Sequence, residues 1–64
     1  MDKTLANEIL DKLKNGELHE YIVTKENFYP FREALVQRPD FKHFRGSAQR
    51  GGTVVYTYME VPRS

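Results

Sequence analysis

Apolar residues in the opening stretch "DKTLANEILDKLKNG" return at helical spacing. Leu5, Ile9 and Leu13 recur every four positions, and Ala6 and Leu10 widen the same stripe. Glu8 precedes Lys12 at the favourable i,i+4 spacing. Asp2 or Thr4 can cap the start, Lys12 and Lys14 suit the negative end of the dipole, and Gly16 can take the left-handed stop. In "ELHEYIVT" the run Tyr21, Ile22, Val23, Thr24 favours a strand. A helical path through Leu18, Tyr21 and Ile22 competes with it, but Asn15-Gly16 before and a capping threonine after favour a separate element.

Thr24 reads as the N-cap of a second helix, with Val23 and Phe28 placed as a hydrophobic staple. Phe28, Phe31 and Leu35 share a face, with Ala34 beside them, and Tyr29 falls off that stripe next to Arg32. Pro30 either kinks this helix or follows a capping turn and opens the helix proper. Both alternatives end near Gln37, because Arg38 precedes Pro39 and is pushed out of the α region.

The last third, "HFRGSAQRGGTVVYTYME", alternates as two strands around glycines. A two-residue Gly51-Gly52 turn sets the register. Ala48 then faces Val55, Gly46 faces Thr57, Phe44 faces Met59 and Lys42 faces Val61. On the other side Gln49 meets Val54, Ser47 meets Tyr56, Arg45 meets Tyr58 and His43 meets Glu60. One face is largely apolar and the other polar and aromatic, as a sheet with one buried side requires.

The order helix, strand, helix, β-hairpin gives a single small α+β domain over residues 1–64, with two helices packed on one face of a three-stranded antiparallel sheet. Met1 and the final "PRS" are expected to be loose. A methionine start and a close after a finished hairpin lead us to expect a whole small protein of bacterial style.

Composition narrows the function classes. The chain has 64 residues and no cysteine, which removes disulfides, thiolate nucleophiles and cysteine-based zinc sites. Small domains without such staples gain stability by pairing, so a homodimer or a protein partner is expected. The N-terminus lacks the basic start and apolar stretch of a signal peptide, and no apolar run suits a membrane span, so a cytoplasmic, membrane-free protein is expected. Net charge is +1 but polarised: residues 1–33 carry seven acids and five bases, and residues 34–64 carry Asp40 and Glu60 against Arg38, Lys42, Arg45, Arg50 and Arg63.

In that register the outer hairpin face gathers Phe41, His43, Arg45, Tyr56 and Tyr58, with Arg50 at the turn, as a candidate interaction surface. Stacking rings beside cations suit single-stranded nucleic acid. The commoner use of such residues is a solvated sheet exterior with a cross-strand cation–π pair. The function expected is therefore a non-catalytic interaction protein, self-associating or binding a protein partner through the outer sheet face or the sheet edge, with nucleic-acid binding through the basic-aromatic hairpin face as the alternative. His43 opposite Glu60, near Arg45, would suit phosphodiester cleavage, but the ordinary reading of one such pair is a surface salt bridge. His19-Glu20 lacks the second histidine of a zinc-protease motif, "AQRGGT" lacks the spacing and lysine of a phosphate loop, and Arg50-Gly51-Gly52 is one isolated triplet. No catalytic residue, metal, cofactor or small-molecule ligand is indicated.

Overall fold

The computed structural model describes residues 1–62. Arg63 and Ser64, part of the expected loose end and of the C-terminal basic charge, lie outside the described residues.

Helix α1 spans Lys3–Lys14. Asp2 caps it, its carboxylate accepting from the Leu5 N–H at 2.8 Å. It stops in a Schellman turn: Glu17 N–H donates to the Lys12 carbonyl at 2.9 Å and Gly16 N–H to the Leu13 carbonyl at 3.3 Å, with Gly16 at φ +81°. The buried face is Ala6, Ile9, Leu10 and Leu13, whereas Leu5 remains 44% exposed. At about 100° per residue Leu5 lies roughly a quarter-turn from the centre of that arc, so it edges the stripe and does not lead it. Met1 is not loose: its ammonium donates to Asn27 Oδ1 at 3.3 Å, and its side chain packs on the core.

Strand β1 is Tyr21–Val23. A 3₁₀ turn at Lys25–Asn27 then leads into helix α2, Phe28–Val36. Thr24 begins the turn in extended conformation but makes no side-chain cap; its Oγ1 accepts instead from Asn27 Nδ2 at 3.2 Å. Pro30 therefore follows a capping turn and sits in the first turn of α2, where its missing N–H has no intrahelical partner to lose. Phe31, Ala34 and Leu35 are buried, and Tyr29 is 78% exposed.

A second 3₁₀ turn, Phe41–His43, delivers strand β2, Phe44–Ala48, which is followed by strand β3, Val54–Tyr58. The sheet is antiparallel in the order β1-β3-β2, so the last strand is central. Both helices pack on one side of it. Phe31 anchors the layers, 5.9 Å from Tyr21 and 4.8 Å from Tyr56 between ring centroids.

The hairpin register differs by one residue from the sequence expectation. Phe44 pairs with Tyr58, Arg45 with Thr57, Gly46 with Tyr56, Ser47 with Val55 and Ala48 with Val54. The loop holds three residues, Arg50-Gly51-Gly52, closed by Gln49 N–H donating to the Thr53 carbonyl at 2.8 Å. Both glycines lie at positive φ, +88° and +86°, which lets the chain reverse over the extra residue. The shift keeps Phe44 inside but inverts β3: Tyr56 goes into the core, and Val55 and Thr57 face outward.

Candidate functional site

The inverted strand redistributes the expected surface. Tyr56 is 5% exposed and belongs to the core. Tyr58 is half-buried between two rings, stacked on His43 at 5.2 Å and edge-on to Phe44 at 5.2 Å. His43 Nδ1 lies 2.8 Å from the Met59 carbonyl, and because that oxygen can only accept, the nitrogen carries the proton. Met59 stands opposite His43 in the ladder, so the expected His43–Glu60 and Arg45–Tyr58 pairs are replaced by His43–Met59 and Arg45–Thr57. Phe41 packs half-buried against the core, while Arg45 and Arg50 are exposed. Of the six expected residues, the fold brings His43 and Tyr58 together, hides Tyr56 and leaves the two arginines on other parts of the hairpin.

What the register does assemble is a bare strand edge. Met59 N–H donates to the His43 carbonyl at 2.7 Å and Gln49 N–H to the Thr53 carbonyl at 2.8 Å. Hydrogen-bonded pairs alternate along an antiparallel ladder, so positions 43, 45, 47 and 49 turn their backbone groups towards β3. Positions 44, 46 and 48 turn theirs away from the sheet. The Phe44 N–H is satisfied by the Phe41 carbonyl in the preceding 3₁₀ turn. This leaves the Phe44 carbonyl and both backbone groups of Gly46 and Ala48 on the outer edge, where no hydrogen bond reaches them among the described residues. Beside this edge, on the helix side of the sheet, runs a groove of about 300 Å³ lined by Arg32, Leu35, Val36, Phe41, Phe44, Gly46 and Tyr56. Val36 is 47% exposed there. Sequence reading named the outer face or the edge of the sheet and placed residues only on the face; which strand forms the edge was invisible to it, because strand order does not follow from periodicity.

A second feature holds the edge in place. Arg38 Nε donates to Asp40 Oδ1 at 2.9 Å and Nη2 to Asp40 Oδ2 at 3.2 Å, a forked pair. Nη1 donates to Asn7 Oδ1 at 3.0 Å and Nη2 to Asp11 Oδ1 at 2.8 Å, both on α1. The guanidinium also lies 5.8 Å over the Phe44 ring. One side chain thus ties α1 to the connection between α2 and β2. The hydrogen bonds from Arg38 hold the Asp40 carboxyl below its ordinary value, against a smaller opposing effect of burial. The sign follows: the stabilisation is complete above the unfolded carboxylate range near pH 3.8 and is lost as pH falls through the lower folded value. In acid unfolding monitored by circular dichroism, Asp40→Asn is expected to flatten the pH dependence in that window below 3.8. An unchanged acid slope would show that the carboxylate is not coupled to folding.

The family model described as YkzS-like protein matches residues 3–57, from the first residue of α1 almost to the end of β3. The chain belongs to the YkzS-like family. No curated protein matches it, and no solved structure matches it. Family membership therefore covers both helices, β1, β2 and the glycine loop, and the chemistry has to be argued from the site itself. Among the described residues there is no group of three histidine, cysteine or acidic side chains placed to hold a metal ion, and no helix is long and apolar enough to cross a membrane.

Proposed function

We propose that this YkzS-like chain is a small non-catalytic interaction protein of the cytoplasm that binds a protein partner through the free edge of β2. The observation that carries the reading is the set of unpaired backbone groups on Phe44, Gly46 and Ala48, next to a groove that mixes apolar side chains with Arg32. Exposed edges are ordinarily blunted by proline, a bulge, inward charge or a covering segment. β2 has none of the first three, and its one charge, Arg45, sits on the outer face opposite Thr57. An extended backbone added to such an edge gains main-chain hydrogen bonds, and side-chain pockets on the sheet face supply selectivity.

The outer sheet face is a weaker candidate. Ile22 is exposed on it beside its partner Val55, but Arg45, Ser47 and Thr57 complete the face, a mixed surface that water solvates well. Nucleic-acid binding has less support, since Tyr56 is in the core and Tyr58 is half-buried against His43 and Phe44.

In ¹⁵N-labelled protein, the Gly46 and Ala48 amides are expected to shift or broaden more than those of Ile22, Val55 and Thr57 on going from dilute chain to the partner-bound state, whether the partner comes from concentrated cell extract or is the chain itself at high concentration. Perturbation of the outer face with the β2 edge silent would overturn the reading. A salt-sensitive anisotropy change with labelled single-stranded RNA that survives at physiological salt, and is lost in the Arg45→Ala, Tyr58→Ala double variant, would replace it with nucleic-acid binding.

A further inference from the structure

We infer that the occupant of the β2 edge is a second copy of this chain, paired antiparallel about a two-fold axis at Gly46. The inference rests on the edge reading above and adds the partner and the register.

Three features select this arrangement. First, the outward groups are self-complementary. With Gly46 opposite the second copy's Gly46, each Gly46 N–H meets the other Gly46 carbonyl. Each Ala48 N–H meets the other copy's Phe44 carbonyl. The ladder gains bonds from all four outward N–H groups, and the one outward N–H that is missing, that of Phe44, is the one already satisfied inside its own chain. Second, the side chains agree. Arg45 falls opposite the second copy's Ser47, so the edge's only charge avoids its own image. Centring the axis on Phe44 instead would set Arg45 against His43, and centring it on Ala48 would shorten the ladder and drive it into the Arg50-Gly51-Gly52 loop. Third, the groove beside β2 lies on the same side of the sheet in both copies, so the axis brings the two grooves together. Val36 and Phe41, which one copy leaves partly bare, flank the joint. β1, the other edge, is three residues long and offers no comparable ladder.

The pairing would join two three-stranded sheets into one of six strands with all helices on one face. This gives a chain of this size, which has no cysteine to form disulfides, a larger core.

Light scattering coupled to size exclusion should give twice the 7.5 kDa mass of one chain. Ala48→Pro removes a donor only at the outer edge, because the Ala48 N–H takes no part in pairing with β3, and strand edges tolerate proline there. It should weaken the dimer at least about tenfold, since two of the inter-copy bonds disappear. A position-specific test guards against a variant that fails to fold. The native chain has no cysteine, so Arg45→Cys protein mixed with Ser47→Cys protein should form a mixed disulfide on mild oxidation. Directly opposed non-hydrogen-bonded pairs bring Cα atoms to about 4.5 Å, within disulfide range. Ser47→Cys alone should cross-link far less, because its image lies two residues out of register.

A wild-type mass of one chain at the highest soluble concentration would overturn the second copy, while leaving the edge reading to the amide shifts above. A dimer that persists in folded Ala48→Pro and gives no mixed disulfide would overturn the edge as the interface. A dimer lost in Ala48→Pro but cross-linked in another register would overturn the axis at Gly46.

Discussion

Replacing Arg38 with alanine is expected to cost this fold roughly 2–3 kcal/mol in urea unfolding, a large share of what a domain of this size holds. The guanidinium makes four hydrogen bonds to three side chains. Its own side chain is 15% exposed and that of Asp40 is 14% exposed, so the Asp40 pair is mostly out of water, whereas the Asp11 partner is 60% exposed and is screened. Alanine leaves the Asp40 carboxylate and the Asn7 carbonyl oxygen without their donor and strips a cation from the Phe44 ring. Lysine at the same position keeps the charge but cannot fork onto Asp40 while reaching Asn7 and Asp11, so Arg38→Lys should recover only a minority of the loss. Full recovery by lysine would mean that charge alone matters and that the forked geometry contributes nothing. Because Arg38 fixes where the chain leaves α2 and enters β2, the alanine variant should also loosen the β2 edge. Faster amide exchange at Arg45 and Ser47, whose N–H groups face β3, reports that loosening.

The same arginine shows where sequence reading stopped. Before the fold is known, Arg38 is only the residue ahead of Pro39 that ends a helix. Asn7 and Asp11 lie far back in the chain, on a solvent-facing line of α1 that no periodicity marks as contacting anything. The two helices, the short strand, the hairpin and the α+β layering were legible because each rests on local signals: the Asp2 cap, Gly16 as a stop, the Phe31/Leu35 spacing, and β-branched runs around glycines. The hairpin register was not, and the reason is the chemistry of tyrosine. In β3 one alternate set is Val54, Tyr56, Tyr58 and the other is Val55, Thr57, Met59. Both sets mix apolar bulk with a hydroxyl, so the alternation identifies a strand without saying which side is wet. A third residue in the glycine loop decides it, and the expected aromatic face turns inward. With Tyr56 in the core and Tyr58 half-buried, the candidate site moves from side chains to backbone.

Gly46 is where the register and the core meet, and it carries the second large expected effect. It pairs directly with Tyr56, whose ring lies across it. A Cβ at position 46 would stand 3.0 Å from Tyr56 Cε1, 3.2 Å from Cζ and 3.3 Å from Val54 Cγ1. The ring has little room to yield, because its other side meets Phe31 at 4.8 Å and the residue is 5% exposed. In an open strand, alanine for glycine would stabilise by roughly 0.5–1 kcal/mol through the unfolded chain. Overpacking of about 1–3 kcal/mol opposes that here, so Gly46→Ala should be net destabilising and Gly46→Val more so, despite valine's preference for strands. The control is a double-mutant cycle with Tyr56→Leu. Removing the ring should turn Gly46→Ala from a loss into a small gain, a coupling that distant, independent sites do not show. If Gly46→Ala stabilises the protein with the tyrosine in place, the ring does not lie over the glycine. In that case the one-residue shift that turns Tyr56 inward and sets the parity of the β2 edge is wrong as well.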